Sequence, residues 1–426
     1  MTVATFDVVS GGAKRVYDTV IHNLLPKSAV CVNRASWEKG TRSIGEAYQI
    51  PVCVVPPNGF TMAGSTGTAT TTLLTGRPMK IVQAAVVPFE MDLREQTLWK
   101  NVSRMSEQGM GAVESYFGEL MKNMKLAAMN RLEATTLLGQ NGVGVVESSS
   151  GASTTATVVI TAASWRPGFW WAMGQGSTYD AFTSTTKNNA SGPLILQTIT
   201  TATRTLTFTN TGTATSEVTA ADVLYFEGSY DGSVYYEQPG LLVQAANTSG
   251  TSLGISATTY PNWAGNTKAI SGVLSFDVVE DLCGELRDRG CSDAISIMVA
   301  NKNYGSLAAE LRSMRIIDSS YSPTKQKAGQ RSIGFETPEI GELEVVIHPF
   351  MAWGDVYMQQ DQQIARVGSA DFGFGVPGLP NSGKEQFLRN ITDTNAVELI
   401  GYTDQCVANK RPNFSYKGTG VTQTGT

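Results

Sequence analysis

Two apolar, β-branched runs near the start of the chain form the first clear pattern. One run covers residues 44–55 and the other covers residues 79–89. Between them lie Pro56 to Phe60 and then a segment rich in threonine and glycine. Two strand-like runs around such a tip predict one long β-hairpin. Because a two-stranded hairpin is only marginally stable in water, we expect a second chain to support it.

The stretch from residue 101 to residue 138 has the strongest helical pattern in the chain. Apolar residues recur there every three or four positions, with charged residues between them. Gly109 and Gly111 interrupt the pattern, so a long helix is predicted from about Ala112 to Leu138. A shorter helical pattern covers residues 12–25. The long helix is the predicted spine of the molecule.

The middle of the chain, residues 148–266, has a different composition, with many threonines and few charged residues. Threonine occupies every second position through residues 203–209, and turn sequences such as Asp231-Gly232 separate the strand-like runs. This pattern predicts an all-β domain, either a small barrel or a sandwich.

From Gly272 onward, helical and strand-like patterns alternate, which indicates an α/β region. The predicted elements are a helix at 276–289 with Val279, Leu282, Cys283 and Leu286 on its apolar face, a strand at 295–299, a helix starting at Asn301, strands at 342–348 and 355–359, and a strand-rich segment at 386–407. The last ten residues are rich in glycine and threonine and are predicted to be disordered.

Composition restricts the function more than any motif does. Charged residues make up 16% of the chain, and only two histidines are present, His22 and His348. Because histidine is the commonest proton carrier and metal ligand, we expect no catalytic residue, cofactor or metal site. The net charge of −5 and the lack of a basic stripe argue against a protein that grips nucleic acid phosphates. The five scattered cysteines indicate reduced thiols in a protein made in the cytoplasm. No apolar run in the sequence is long enough to span a membrane.

A glycine-rich loop and a tryptophan cluster each allow a functional and a structural interpretation. Residues 378–384 imitate a phosphate-binding loop, but Glu385 stands where a serine or threonine would bind Mg²⁺, so a turn-rich connection is favoured. Trp165, Trp170 and Trp171 form an aromatic cluster that suits a carbohydrate platform, a core or a subunit contact. The core or the subunit contact is favoured, because buried aromatic clusters are the commoner case.

Three short motifs lie between residues 236 and 263. They read Tyr-Glu-x-x-Gly-Leu from Tyr236, Thr-x-Leu-Gly-Ile from Thr251 and Tyr-Pro-x-Trp from Tyr260. These motifs look like a stretch common in phage capsid proteins. Together with the order of the elements, they make the chain resemble the major capsid proteins of tailed bacteriophages, a fold shared with encapsulin shells and the floor of herpesvirus capsids.

This resemblance implies an α+β fold with a defined order of parts. Those parts are an N-terminal arm at 1–41, an extended hairpin loop at 42–91, a peripheral domain with the spine helix at 92–147, a β-rich inserted domain at 148–263, an axial domain at 264–381, a return to the peripheral domain at 382–412 and a flexible tail at 413–426. The loop is expected to lie across a neighbouring subunit. Its predicted contact residues are Asn58, Gly59, Phe60, Leu73, Leu74 and Arg77.

The resemblance also implies a function and a set of partners. The expected function is a structural protein, not an enzyme, that self-assembles into hexamers and pentamers of an icosahedral phage head in the host bacterial cytoplasm. The expected partners are copies of itself, a separate scaffolding protein, a portal protein and a decoration protein, with double-stranded DNA enclosed but not read by sequence and no membrane. Two alternatives stay open: a β-rich phage tail or receptor-binding protein, and an encapsulin-like compartment shell.

Overall fold

The computed structural model describes most of the chain. The described residues are 29–39, 47–61, 75–98, 110–152, 154–210, 218–291, 294–314, 333–337, 341–360, 363–374, 387–389 and 396–422. The predicted helix at 12–25 lies outside these ranges. The described part combines helices with strands in several sheets, which confirms the α+β class. Within that part, no helix is both long enough and apolar enough to cross a membrane.

The two apolar runs near the start of the chain do form a hairpin. Strands β2 (Tyr48–Val55) and β3 (Lys80–Val86) pair in antiparallel register, with Tyr48 opposite Val86 and Val52 opposite Val82. Alternation places one set of side chains on each face of the pair, and the burial pattern follows this alternation.

The spine helix α2 runs from Met110 to Leu138, close to the predicted bounds. Its last turns are buried on every side. They contact the β domain, the strand Ala396–Asn409 of a five-stranded sheet and a short N-terminal helix α1 (Cys31–Arg34). The helix ends at Gly139, where an added Cβ would lie 2.1 Å from the backbone oxygen of Gln238. Glycine therefore permits the close passage of a second segment across the helix end.

The peripheral sheet packs beside the spine helix and combines distant parts of the chain. Its strands are β1 (Ser36–Lys39), β4 (Phe89–Leu98), β19 (Ile364–Phe374), β20 (Phe387–Arg389) and β21 (Ala396–Asn409). The order is β1-β19-β21-β20, and β4 also pairs with β21 over ten residues. Strand β19 was not predicted, because its glycines and charged residues hide the alternation.

The threonine-rich block folds as a barrel. Its strands are β5 (Gly144–Ala152), β6 (Thr155–Ile160), β7 (Thr178–Thr183), β8 (Thr186–Lys187), β9 (Leu194–Thr200), β10 (Thr205–Thr209) and β11 (Val223–Phe226). They follow the order β11-β5-β6-β10-β9-β7-β8, and β7 pairs back to β11, so that six strands close. Helix α3 (Pro167–Met173) contributes Phe169 and Trp170 to the aromatic interior.

The barrel ends at Phe226. The predicted β-rich domain at 148–263 therefore extends beyond it by more than thirty residues. The following residues carry helix α4 (Leu241–Ala246), a small pair of strands β12 (Thr251–Ser252) and β13 (Ile255–Ser256), and a 3-10 turn at Pro261–Trp263. This segment packs on the spine helix and under the hairpin, so it belongs to the packing of those elements.

The α/β region forms a second core around a six-stranded sheet. Its strands are β14 (Asn266–Gly272), β15 (Ile295–Val299), β16 (Ile333–Thr337), β17 (Gly341–Ile347), β18 (Val356–Gln360) and β22 (Tyr416–Val421), in the order β14-β22-β18-β15-β17-β16. Helices α5 (Phe276–Asp288) and α6 (Asn301–Met314) belong to the same region. As predicted, Val279, Leu282, Cys283 and Leu286 are buried in α5, and Phe276 at its start is buried as well.

The prediction of a flexible tail at 413–426 was wrong. Strand β22 lies between β14 and β18, and Tyr416 and Val421 are only 4% and 5% exposed. Its sequence has few apolar residues, so it gives no strand pattern by itself. Backbone pairing with a strand on each side holds it in place, and Gly418 leaves room for the side chain of Ile270.

Candidate assembly surface and a buried junction

The inner face of the hairpin packs on the protein's own chain. Ala84 lies with Ile255 and Trp263 in one small core, and Val86 lies with residues of β19 and β21 in another. The backbone N–H of Ala85 donates to the oxygen of Leu253 at 2.8 Å. A second chain was predicted to support the hairpin, but the base of this face is supported within the chain.

The outer face of the hairpin and its tip expose apolar side chains to solvent. Val55 is 38% exposed, Ile81 54%, Met79 49% and Phe60 79%. Clustered exposure of large apolar residues marks a surface that binds another molecule, because a monomeric protein rarely leaves such a patch in water.

The predicted contact residues at the hairpin tip are partly visible. Asn58 and Arg77 face each other across the two arms, with the backbone N–H of Asn58 donating to Arg77 O at 3.1 Å and the reverse bond at 2.7 Å. Gly59 lies so close to Gly76 that an added Cβ would be 2.9 Å from its Cα. Leu73 and Leu74 lie outside the described residues. The structure therefore describes four of the six predicted residues, and it pairs Asn58 with Arg77 and places Gly59 beside them.

A buried carboxylate joins three distant parts of the chain. Glu133 on the spine helix accepts backbone N–H bonds from Val30 at 2.9 Å and Cys31 at 2.6 Å on Oε1, and from Val32 at 2.9 Å on Oε2. Its Oε1 also lies 2.7 Å from Nε2 of His348, which follows β17. The side chains of Glu133 and His348 are both 0% exposed. This cluster is the Glu133 junction.

The proton positions at the Glu133 junction follow from its hydrogen bonds. Nδ1 of His348 accepts the backbone N–H of Phe350 at 3.0 Å, so the ring proton sits on Nε2 and points at the carboxylate. Burial alone raises the pKa of Glu133, but the hydrogen bond from His348 and the backbone donors outweigh burial and hold this pKa below its ordinary value of 4.5. Glu133 is therefore an ionised, fully hydrogen-bonded buried acceptor.

The donor atoms at the junction could suggest a metal site, but their chemistry does not fit one. Ligand atoms of Cys31, Glu133 and His348 lie within 4.8 Å of one another. Burial, and next the charge of Glu133, raise the pKa of the Cys31 thiol well above its ordinary value, so the thiolate that a metal needs is disfavoured. The proton on Nε2 of His348 likewise blocks the nitrogen that faces the cluster. Hydrogen bonds to the Glu133 carboxylate therefore account for the positions of these residues without a metal ion.

Sequence reasoning missed the Glu133 junction. No local pattern pairs His348 with Glu133, because the two residues are 215 positions apart in the chain. The one local signal is a glutamate in the apolar end of the spine helix, between Leu132 and Ala134. A charged residue at a position where every neighbour is buried requires partners, but the pattern does not say which.

The aromatic cluster divides between the core and the surface. Trp165 and Trp170 are 0% exposed, and the ring of Trp170 packs 5.0 Å from Phe169 and 5.2 Å from Tyr179. Trp171 is 57% exposed and donates to the hydroxyl of Thr201 at 3.3 Å. Two of the three indoles therefore fill the core, which is the favoured interpretation for those two.

Comparison with solved structures identifies chains with a similar fold. No protein-family model and no curated protein matches this sequence. A chain of the capsid asymmetric unit of cyanophage A-1(L) is similar with a TM-score of 0.55 and 11% identity, over 96% of this chain and 97% of that chain. The capsid of the native GTA particle gives a TM-score of 0.48 and 10% identity, over 99% of this chain and 100% of that chain. The structure of Mycobacterium phage Adephagia gives a TM-score of 0.45 and 10% identity, over 100% of this chain and 100% of that chain.

Of these three TM-scores, the first exceeds 0.5, and at 11% identity such a similarity concerns the fold. It extends over nearly the full length of both chains, so it includes the hairpin, the spine helix and both cores. This chain therefore has the α+β fold of that phage capsid chain.

Proposed function

We propose that this protein is a structural major capsid protein, which assembles into the hexamers and pentamers of an icosahedral phage head. The head encloses double-stranded DNA without reading its sequence, in keeping with a chain of net charge −5. The role is structural and not catalytic. Assembly takes place in the cytoplasm of a host bacterium, and the mature location is the virion capsid.

The single observation that carries this proposal is the exposed apolar face of the hairpin, on a chain with a capsid fold. The inner face is already covered by the chain itself, so the exposed residues have no role in the isolated fold. A repeated shell offers every copy the same neighbour, so each hairpin buries its outer face against an identical surface. The contact residues at the tip are Asn58, Gly59, Phe60 and Arg77, together with Leu73 and Leu74.

The parts of the fold suggest their places in the shell. The arm and the hairpin extend toward neighbours, the spine helix and the peripheral sheet form the peripheral domain, and the six-stranded sheet with α5 and α6 forms the axial domain near the centre of each capsomer. The barrel is the inserted domain, placed on the outer face. A separate scaffolding protein, a portal protein and a decoration protein are the further partners.

Particle assembly tests this function directly. The chain is expressed with and without a candidate scaffolding protein and examined by sizing chromatography and negative-stain microscopy. We expect closed shells or capsomers. A stable, monodisperse monomer under both conditions would contradict the proposal.

One substitution tests the hairpin face separately. Ile81→Glu places a charge on the outer face, opposite Cys53 and away from the inner core. We expect the variant to fold but not to form shells. Trp171→Glu is the matched control, because Trp171 is exposed to a similar extent on the barrel, and it should assemble normally. Normal shells from Ile81→Glu would show that this face is not the contact.

Two other functions remain as outcomes of the same experiments. A β-rich tail or receptor-binding protein fits the barrel and would appear as trimeric fibres, but it gives no role to the spine helix and the axial sheet. An encapsulin-like shell fits the whole fold and differs in its contents. Nuclease-treated particles that contain protein cargo and no DNA would favour it.

A further inference from the structure

An asparagine followed by a glycine lies in the turn between the spine helix and the barrel. Asn141 comes shortly after the helix end at Leu138, and Gly142 comes shortly before β5. Because glycine has no side chain to shield its backbone nitrogen, this nitrogen can attack the side-chain amide of the preceding asparagine and expel ammonia. The nitrogen and the amide carbon belong to neighbouring residues, so ring closure needs only bond rotations within Asn141. This turn is therefore a candidate site of covalent modification.

The backbone nitrogen that such a reaction needs is unpaired. Gly142 is buried, and its N–H makes no hydrogen bond within the part of the chain that the structure describes. Buried backbone donors without a partner are rare in folded proteins. The residues on both sides are paired, since the N–H of Asn141 donates to Leu138 O at 2.7 Å and that of Val143 donates to Leu224 O at 2.8 Å. The turn is thus held in place while the Gly142 nitrogen stays available.

A lysine from the C-terminal strand contacts the amide that would be attacked. Nζ of Lys417 donates to Oδ1 of Asn141 at 3.2 Å. This oxygen takes up negative charge when a nucleophile adds to Cγ, and a cationic donor already in place stabilises that charge. The backbone of Lys417 is fixed inside the six-stranded sheet, between Tyr357 on β18 and Thr267 on β14. Lys417 therefore has the position of an oxyanion donor.

The charges around Lys417 favour a carboxylate in place of the Asn141 amide. Burial lowers the pKa of Lys417, the carboxylate of Asp355 raises it, and the charge of Arg166 lowers it further. The side chains of Arg166 and Asp355 are only 3% and 15% exposed, with Nη2 and Oδ2 3.4 Å apart. Lys417 and Arg166 thus supply two positive charges against the single negative charge of Asp355. A second carboxylate at position 141 balances this group.

A cavity beside Asn141 gives water access to the amide. Its volume is about 390 Å³, which is room for several water molecules. The residues that line it include Gln140, Asn141, Pro239, Val243 and Asn247. Water and hydroxide, the co-reactants that an amide hydrolysis needs, can therefore reach the turn.

We propose that Asn141 deamidates in the folded protein, with Lys417 as the group that stabilises the oxyanion. Hydroxide takes the proton from the N–H of Gly142, and the lone pair of the nitrogen attacks Cγ of Asn141. The C=O π pair moves to Oδ1, beside the Lys417 ammonium. When the C=O bond re-forms, the Cγ–Nδ2 bond breaks, and ammonia leaves with a proton from water, which restores the hydroxide.

Hydrolysis of the succinimide ring completes the reaction. Water adds to either carbonyl carbon, the bond from that carbon to the Gly142 nitrogen breaks, and the nitrogen takes a proton back. The product is aspartate or isoaspartate at position 141. The net change converts an amide and one water into a carboxylate and an ammonium ion, with no oxidant or reductant.

The product turns the contact between the turn and β22 into an ion pair. The carboxylate keeps an oxygen for Lys417 and adds one negative charge to a chain of net charge −5. A hydrogen bond between two charged groups is stronger than one with a neutral partner, so the strand becomes attached more firmly. The inference does not rest on the proposed function, because all of these residues belong to one chain.

Peptide mapping of the purified full-length chain by mass spectrometry tests the reaction. Trypsin releases residues 132–187 as one peptide, because Pro167 prevents cleavage after Arg166, and Asn141 is its only asparagine. Deamidation makes this peptide heavier by about 1 Da. During incubation of the folded chain in mildly alkaline buffer, we expect the heavier form to accumulate about tenfold faster than in a synthetic peptide of residues 132–187. Conversion no faster than in the synthetic peptide would overturn the proposal.

Variants test the role of the lysine. Lys417→Met removes the donor and should slow the conversion by about tenfold or more, whereas Lys417→Arg keeps a cationic donor and should retain most of the rate. Lys268→Met is the matched control, because Lys268 pairs with Asp281 and Glu285, and its rate should equal that of wild type. Equal rates in wild type and a folded Lys417→Met, or in Lys417→Arg and Lys417→Met, would refute the role of Lys417.

A variant that already carries the product locates the change. Asn141→Asp should show no gain of mass in peptide 132–187 under the same incubation. A gain of mass that persists in Asn141→Asp would place the reaction at a glutamine of this peptide and refute the proposal.

Discussion

Glu133→Gln is the change that tests the Glu133 junction most sharply. The variant keeps the size of the side chain and one acceptor oxygen. It replaces Oε2, the acceptor for the backbone N–H of Val32, with an amide that is itself a donor. It also removes the negative charge that the N–H groups of Val30 and Cys31 and the ring of His348 share at Oε1. The segment around α1 therefore loses much of its attachment to the spine helix.

The expected cost follows from counting these bonds. One buried N–H loses its acceptor, which costs about 1–3 kcal/mol. The other three bonds change from a charged to a neutral acceptor, which costs roughly 0.5–1 kcal/mol each. Burying a neutral amide costs less than burying a carboxylate, and this offsets part of the sum. We expect a net loss of about 3 kcal/mol of local stability, or roughly 100-fold in the equilibrium for local opening.

Amide hydrogen exchange at Val30, Cys31 and Val32 measures this local stability. We expect exchange there to accelerate by about 100-fold in Glu133→Gln, with little change inside the barrel. Glu147→Gln is the matched control, because Glu147 pairs with Arg204 on the surface and is 49% exposed. Exchange at Val30–Val32 that stays within about threefold of wild type in Glu133→Gln would refute the energetic role of the junction.

Three further outcomes follow from the structure. Because the folded-state pKa of Glu133 is lowered, its contribution is present above about pH 4.5 and is lost as the pH falls through the folded value, so the difference in Tm between wild type and Glu133→Gln should shrink in acid. Trp170→Ala should destabilise the barrel by about 3–5 kcal/mol in thermal unfolding, whereas Trp171→Ala should change stability by less than about 0.5 kcal/mol. Truncation after Ser415 removes β22 and should give insoluble protein, whereas truncation after Thr422 should leave solubility and sedimentation unchanged. A soluble, monodisperse product of the first truncation would contradict the structural role of this strand.

Elements that depend on short-range patterns could be predicted from the sequence. Helix α5 shows this best, since its apolar spacing predicted the buried residues and Ser275 caps its first turn through a bond to the N–H of Val278. The hairpin and the end of the spine helix were predictable for the same reason. Their signals lie within a few residues of one another, and local backbone geometry converts them into structure.

Elements that depend on partners elsewhere in the chain could not be predicted. The sequence of β22 predicted a flexible tail, because its glycines and threonines give no alternation of polar and apolar residues. Its position in the sheet is determined by pairing with β14 and β18 on either side. Closure of the barrel rests on the pairing of β7 with β11, which are about forty residues apart. The pattern within each strand was compatible with a sandwich as well as a barrel.

The candidate assembly surface could be predicted in part from local pattern, whereas the Glu133 junction could not. The two apolar runs already predicted a long hairpin with Phe60 among the contact residues of its tip. The fold then determined which face is free, because it placed Ile255 and Trp263 against the other one. The Glu133 junction joins residues more than a hundred positions apart. Such contacts form only when separate elements pack, so packing, and not local pattern, determines them.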